Sequence, residues 1–286
     1  MNFERLDGYI FLKNDFLPSK SAKIHVLSHS LHFSSAVFEG IRVYDSQAFF
    51  IDDHIERLEY SCSLMGLDLP YSKSEITEIC KTLIKKNALN EGYLRPLVFK
   101  DGNSMAPENL DCKSILSVSG WKWERLFQKN VSLMISRWKK PNSKIAPVGA
   151  KSSGSYQTAT LSKNEAIKKN YDDVLMLDIN DNIAESSACN IFWIKNNKVF
   201  TPDESSILNG ITRQIVIKIL KKESIDVEIG SFKIQNIFDA EDVFLTGTAS
   251  EIINVNNIEK KKYLCHDISK IVKEKFDLLK IKKYEI

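Results

Sequence analysis

A lysine ringed by residues too small to shield it sits in "GAKSSGSY", Gly149 to Tyr156, with a tyrosine five positions on. An amine nucleophile must reach its electrophile unhindered, so Lys151 between alanine, serines and glycine suits Schiff-base chemistry. Alone, the stretch reads as a flexible loop: Lys and Arg together number 40 in 286 residues, and most of them must be solvated. Two further stretches could hold an anion. In "LNGITRQIV", Gly210-Ile211-Thr212 opens a helix whose unpaired N–H groups and dipole favour negative charge. In "FLTGTAS", Thr246 to Ser250 follows a strand and has the small-residue composition of an anion-binding turn. Each also has a plain reading, an N-cap and a hairpin turn. Glu185, in "NIAESSACN", is either an exposed turn carboxylate or a fixed anion for a protonated heterocyclic nitrogen. Arg57, in "HIERLEY", is either a helix-surface partner or an anion ligand. Arg42 ("EGIRVY") and Arg95 ("GYLRPLVF") lie in apolar strand contexts, where a guanidinium needs a carboxylate, structural or substrate.

The elements that must position these residues follow from periodicity. "GYIFLKNDFL" predicts a hairpin turning at Lys13-Asn14-Asp15, and "SHSLHFSSAVFEG" a short helix that stops at Gly40 and hands over to strands. Ile55, Leu58, Cys62 and Met65, then Ile76, Ile79, Cys80 and Leu83, recur at helical spacing. Strands are expected at "GYLRPLVFK" and "KSILSVSG", completing a unit over 1–120, with 121–129 as linker and 130–286 as a larger second domain carrying Lys151. There, strands at "VSLMISRW", "DVLMLDIN", "NIAESSACNIFWI", "KVFTP" and "DVFLTGTASEIINV" alternate with helices at "TATLSKNEAIKK" and "ITRQIVIKILKKES". The fold class is therefore α/β with mixed sheets, and the basic tail "KEKFDLLKIKKYEI" reads as a solvated helix.

Composition removes several function classes. Hydrophobic residues at 43% and charged residues at 27% describe a globular protein, and a net charge of +3 with interleaved signs argues against a nucleic-acid groove or a membrane face. The five cysteines show no metal-ligand spacing, so no metal is expected. With no apolar leader in "MNFERLDGYIFLKNDF", they point to a reducing cytoplasm.

Taken in order, "HVLSHSLHFSSAVFEGIRVY", "HIERL", "GYLRPLVF", "GAKSSGSY", "DINDNIAESSACNIF", "LNGITRQIV" and "FLTGTASEI" resemble the branched-chain aminotransferases among the fold type IV pyridoxal-phosphate enzymes. The resemblance runs from about residue 25 to residue 255. It implies a small N-terminal and a larger C-terminal α/β domain with pyridoxal 5′-phosphate between them, and a homodimer or higher homo-oligomer. Lys151 would carry the cofactor and shuttle a proton. Tyr156 would bond its 3′ oxygen, Glu185 would keep its ring nitrogen protonated, and Asn190 would stand nearby. Arg57, the amides of Ile211 and Thr212, and Thr248 would hold the phosphate.

On the substrate side the resemblance assigns the α-carboxylate to Tyr93, Thr248 and Ala249, and the apolar pocket to Phe38, Gly40 and Trp121. Arg95 would meet the distal carboxylate of glutamate, with Arg42 as the second strand arginine and Phe33 acting in the neighbouring subunit. The implied reaction moves the amino group of L-leucine, L-isoleucine or L-valine to 2-oxoglutarate. Small-molecule amino and oxo acids are the expected partners, without nucleic acid or membrane. The sequence departs from the family at Phe33, commonly tyrosine, and at "WKWERL", which lacks a tyrosine expected a few residues after Trp121. The same fold and cofactor also serve D-amino-acid or (R)-amine transaminases and aminodeoxychorismate-type lyases. A non-catalytic binding or scaffold protein would need all these motifs to coincide by chance.

Overall fold

A computed structural model of the chain describes residues 7–102, 104–123 and 129–286. Most of the expected linker, 124–128, lies outside the described residues. The chain divides into two units, one of residues up to 124 with Ala150–Gly154, the other of 125–149 and 155–286.

The first unit is a sheet covered by two helices. Strands β1 (Tyr9–Leu12) and β2 (Asp15–Pro18) form the expected hairpin, with Lys13 and Asn14 at φ 51° and 77°, the left-handed pair a tight two-residue turn requires. Helix α1 covers only His29–Phe33 and ends well short of the expected Gly40. Ser34 takes the left-handed C-cap position at φ 55°, and β-branched Val37 goes instead to strand β3 (Ala36–Phe38). Next come β4 (Ile41–Tyr44), β5 (Gln47–Ala48), α2 (Ile51–Leu64), α3 (Lys73–Lys86), β6 (Gly92–Asp101) and β7 (Lys113–Trp121). Helix α3 starts with a reciprocal capping box between Ser72 and Glu75. The strand order is β2-β1-β7-β6-β4-β5, with β3 on β6.

Alternation gives this sheet two faces of different character. Val37, Ile41, Val43, Leu94, Val98, Leu116 and Val118 point one way, into a core with Ile55, Leu58, Ile76 and Leu83 of the helices. The opposite face carries Arg42, Tyr93 and Trp121 on directly paired positions, Arg95 two residues along β6, and Phe38 opposite Leu97. Four of the residues singled out in the sequence thus share one face with Arg42. Lys151 belongs with this unit, not with the C-terminal half as expected. Val37 pairs with Ser152 across an isolated antiparallel bridge, and the Phe38 N–H donates to the Lys151 carbonyl at 3.1 Å.

In the second unit the elements are β8 (Val131–Ile135), α4 (Gln157–Lys168), β9 (Asp173–Leu175), β10 (Asn190–Lys195), β11 (Lys198–Pro202), α5 (Ile211–Lys222), β12 (Val227–Gly230), α6 (Ile234–Phe238), β13 (Asp242–Gly247), β14 (Glu251–Ile258), β15 (Lys261–Lys262) and α7 (Asp267–Lys280). The sheet runs β12-β11-β10-β13-β14-β8-β9, with β15 on β14, mixing parallel and antiparallel pairs. The expected strand across "NIAESSACNIFWI" is regular only from Asn190; before it the chain makes single bridges and a turn. The basic tail is not a solvated helix: α7 buries Ile268, Val272, Phe276 and Leu279 along one face, at spacings of four, four and three.

Candidate active site

In the first unit the Lys151 backbone is tied on both sides. Its N–H donates to Ser61 Oγ at 3.0 Å and its carbonyl accepts from Phe38. Two cations approach the Phe38 ring, Lys151 Nζ at 4.9 Å and the Arg95 guanidinium at 4.6 Å from its centroid. Arg95 also approaches the Tyr93 ring at 5.5 Å, and its Nη2 reaches the Tyr93 hydroxyl at a long 3.5 Å. Tyr93 in turn packs on Trp121 at 5.4 Å and edge-on against Trp123 at 4.7 Å. Gly40 is required here, because a Cβ on it would fall 1.7 Å from the Tyr93 hydroxyl. One sheet face thus gathers a lysine, three aromatic rings and a guanidinium.

Arg42 stands apart from this group in role. It is buried, donates to the Trp123 carbonyl at 2.6 Å and pairs with Glu91 at 3.7 Å, which is the structural reading of a strand arginine. Phe33 is partly exposed on α1 and packs on His29 at 4.7 Å.

Arg57 is held by a residue that sequence reasoning did not single out. Glu39, wholly buried, takes Arg57 Nε at 2.7 Å and Nη2 at 2.9 Å, and His54 Nδ1 at 2.7 Å. Burial would push the Glu39 carboxyl up, but Arg57 and His54 outweigh it and hold it well below the carboxylate range. Burial drives the His54 imidazole below its ordinary 6.5 against the pull of Glu39, with Arg57 and Lys151 adding to the drop. The available signal was the H-x-x-R spacing, which puts His54 and Arg57 on one face of α2, with an acid inside "FEGIR".

In the second unit Glu185 is buried, and its backbone pairs with Met176 through the Met176 N–H at 2.9 Å. Its carboxylate is shared: Lys140 Nζ sits 2.7 Å from Oε1, and Asn190 Nδ2 donates to Oε2 at 3.1 Å. Burial alone would lower the Lys140 ammonium, but Glu185 outweighs it, and Tyr156 adds to the rise above the ordinary lysine value. Nothing in the sequence distinguishes Lys140 from its many neighbours of the same type. Asn190 also donates to the Leu208 carbonyl at 2.8 Å, and a Cβ on Gly210 would meet its Oδ1 at 2.1 Å. Gly210 therefore lets the start of α5, with Ile211 and Thr212, approach Asn190. Tyr156 ends a single 3-10 turn at the head of α4.

Thr248 and Ala249 are half-buried in the turn joining β13 to β14. Just before it, on the position paired with Asn190, the Thr246 hydroxyl is buried with no hydrogen-bond partner. An orphaned buried hydroxyl costs about 1–3 kcal/mol unless a ligand satisfies it. Among the described residues no cluster of metal-ligating side chains occurs, and no helix is long and apolar enough to cross a membrane.

The chain compares closely with characterised and solved proteins. The family model "Amino-transferase class IV" matches residues 36–258. A probable branched-chain-amino-acid aminotransferase of Rickettsia felis is 37% identical over 260 residues, spanning 91% of this chain and 90% of that protein. The crystal structure of the Escherichia coli branched-chain amino acid aminotransferase superposes with a TM-score of 0.95 at 30% identity, covering 98% and 97% of the two chains. That of the T.th. enzyme, complexed with N-(5'-phosphopyridoxyl)-L-glutamate, gives 0.93 at 28% identity, covering 97% and 95%. With the amine of Lys151, the shared carboxylate of Glu185 and both anion-favouring segments inside the matched span, this chain belongs to the class IV aminotransferases.

Proposed function

We propose that this aminotransferase uses pyridoxal 5′-phosphate to move the amino group of L-leucine, L-isoleucine or L-valine to 2-oxoglutarate, releasing branched-chain 2-oxo acids and L-glutamate. The observation that carries the reading is the sheet face on which Lys151, Phe38, Tyr93, Trp121 and Arg95 stand together. It offers an amine, an aromatic wall for an alkyl chain, and a cation for an acid. The names of the similar enzymes support the branched-chain substrates.

The residues fit the cofactor. Lys151 supplies the amine that would hold its aldehyde, and Glu185 a buried carboxylate for its ring nitrogen. Thr246 offers an unsatisfied hydroxyl beside the Thr248 turn, and α5 its first amides, for the phosphate. Arg57, locked by Glu39, would hold the phosphate as a fixed guanidinium fork. Tyr156 would bond the ring's 3′ oxygen, and Asn190 keeps the Glu185 carboxylate in orientation. When bound, pyridoxal phosphate supplies an aldehyde that condenses with amines and a ring that stores the electron pair left when the substrate Cα–H breaks.

Every other part of the chemistry falls to the chain. The Lys151 amine would hold the cofactor and would serve as the base that moves the substrate's Cα proton. Tyr93 would bind the α-carboxylate, and Phe38 and Trp121 would exclude water from the alkyl chain. The attraction of Glu185 holds the Lys140 ammonium above the ordinary lysine value, so Lys140 stays charged 2.7 Å from the Glu185 carboxylate. We place the enzyme in the cytoplasm as a homodimer, consistent with five cysteines that are all free thiols.

Mixing the cofactor-loaded protein with single amino acids tests the reading. L-Leu, L-Ile and L-Val should each bleach the visible band of the lysine-bound cofactor, and D-Ala should not; conversion by D-Ala alone would sink it. A second expectation concerns Gly40. Gly40→Ala must displace the Tyr93 hydroxyl, so the KM of every amino donor should rise together, by about tenfold for one lost hydrogen bond to a carboxylate. Steady-state kinetics with leucine and glutamate check this, and a change in one donor alone would contradict it.

A further inference from the structure

The turn that joins β13 to β14 closes on a residue of an unexpected type. Register pairs Gly247 with Glu251, so the connection is the three residues Thr248, Ala249 and Ser250. A hairpin of this length ends on a residue in the left-handed region, a place that glycine fills without steric cost. Here it is Glu251, at φ 56° and only 2% exposed. A side chain in that conformation persists only where its surroundings over-determine it, and a buried carboxylate only where a cation meets it.

Both conditions are met from one place, the last residue of α7. Lys280 Nζ lies 2.9 Å from Glu251 Oε2, in a pair that is nearly enclosed. Asp277, one turn back on α7, meets the same ammonium at 2.5 Å. The other end of the helix is fastened to the start of the same hairpin: the His266 N–H donates to Asp242 Oδ2 at 2.8 Å, and the Ser269 hydroxyl donates to the same oxygen. The lengths agree, since the fourteen residues of α7 rise about 21 Å and the six of β13 about 20 Å. Between its ends α7 packs on α5 and on β14. Within the second unit it thus braces both segments that favour an anion.

We propose that the Lys280–Glu251 pair is a positioning device: by holding Glu251 left-handed, the end of α7 sets the turn in which Thr248 stands, and with it the fit of that turn to a phosphate. The inference rests on the proposed use of pyridoxal 5′-phosphate, and goes beyond it by giving α7 a part in recognising the phosphate. Without the ammonium, a carboxylate at this depth has to reach water. It does so by carrying Glu251 out of the left-handed region, which turns the Ser250–Glu251 peptide and reshapes the three residues before it. Lys280 and Glu251 both act through the turn, not on the phosphate itself.

The cofactor and its phosphate-free form, pyridoxal, separate positioning from general stability. Both can react with the Lys151 amine and only one brings a phosphate, so the ratio of their dissociation constants, read from the visible band, reports on the phosphate site. Lys280→Met should weaken binding of pyridoxal 5′-phosphate about tenfold, the scale of one hydrogen bond to a charged group, and leave that of pyridoxal within about twofold. Glu251→Gly is the deciding variant. Glycine takes φ 56° unaided, so the wild-type ratio should persist, and adding Lys280→Met to Glu251→Gly should then do no harm. Equal losses for both ligands, an unchanged ratio in Lys280→Met, or a ratio in Glu251→Gly as low as in Lys280→Met would overturn the proposal.

Should Lys280→Met fail to fold, two substitutions of Glu251 answer in its place. Glu251→Ala keeps a Cβ at the left-handed position and gives Lys280 no carboxylate to hold, so its ratio should fall about tenfold while that of Glu251→Gly stays at wild type. Equal ratios in the two refute the role. A wild type that binds both ligands alike would remove the phosphate from the site, and this proposal with it. A wild type that prefers the phosphate form, with variants that all share the preference, would leave the cofactor reading standing and end the proposal alone.

Discussion

Lys151→Ala should give a folded protein whose half-reaction with L-leucine is slower by at least about 10³-fold, since in the proposed function it would lose both the amine that holds the cofactor and the group that moves the Cα proton. The fold should survive because the segment is anchored by its backbone: the Lys151 N–H to Ser61, its carbonyl to the Phe38 N–H, and Ser152 to Val37. The approach of its side chain to the Phe38 ring is worth about 0.5–1 kcal/mol, the value for a partly exposed cation over an aromatic face. A melting temperature within a few degrees of wild type is therefore expected, against a nearly complete loss of turnover. Calorimetry and single-turnover kinetics separate the two. Added methylamine should restore a fraction of the rate, because it returns a free amine to the space that truncating the lysine side chain opens. A variant that turns over within tenfold of wild type would remove Lys151 from the mechanism.

The residues proposed to carry this chemistry differ in how plainly the sequence marks them as candidates, and the difference has a physical origin. Lys151 stands out because its neighbours are small, a local property. Thr212 and Thr248 are legible for the same reason: helix starts and strand turns are local, and so is the anion preference they create. Glu39 and His54 are not. A carboxylate and an imidazole inside apolar stretches become a site only when the turn between β3 and β4 brings one onto a face of α2 that presents the other and Arg57. Lys140 is similar, since its partner Glu185 lies 45 positions away. The elements behave alike: α2 and α3 declare themselves by apolar spacing, whereas α1 stops early at a left-handed Ser34 that no spacing predicts. In α7 the apolar stripe was present, but nearby lysines obscured it. Even the grouping of Lys151 with the first unit rests on long-range ties, to Ser61, Phe38 and Val37, that no local pattern announces.

Glu39→Gln is expected to be among the most destabilising single substitutions in the first unit, although it changes one atom. The native carboxylate accepts from Arg57 twice and from His54 once, and also from the Gly40 N–H at 3.3 Å, with no exposure to water. An amide there turns one acceptor into a donor facing other donors and takes the balancing charge from the Arg57 guanidinium. Breaking a buried pair from one side costs about 3–5 kcal/mol, or roughly 10 °C in melting temperature for a chain of this size.

The pH dependence gives a sharper check. Glu39 has a folded pKa held far below its ordinary 4.5, so its stabilisation is complete above that value and is lost as pH falls below it. His54 is also depressed, from 6.5: it stays neutral in the fold while the unfolded chain takes up a proton, so stability declines as pH drops through 6.5. Wild type should thus weaken in two stages on acidification, the first from His54 and the second from Glu39. Glu39→Gln keeps the first stage and lacks the second. The gap between the two proteins in urea unfolding should be widest near pH 7 and narrow steadily below about pH 4.5. Cofactor affinity should fall in parallel, because Arg57 loses the fork that aims it. Equal urea midpoints at pH 7 would show that Glu39 and its partners are dispensable to the fold, and a gap that widens toward acid would mean that Glu39 is protonated in the native protein.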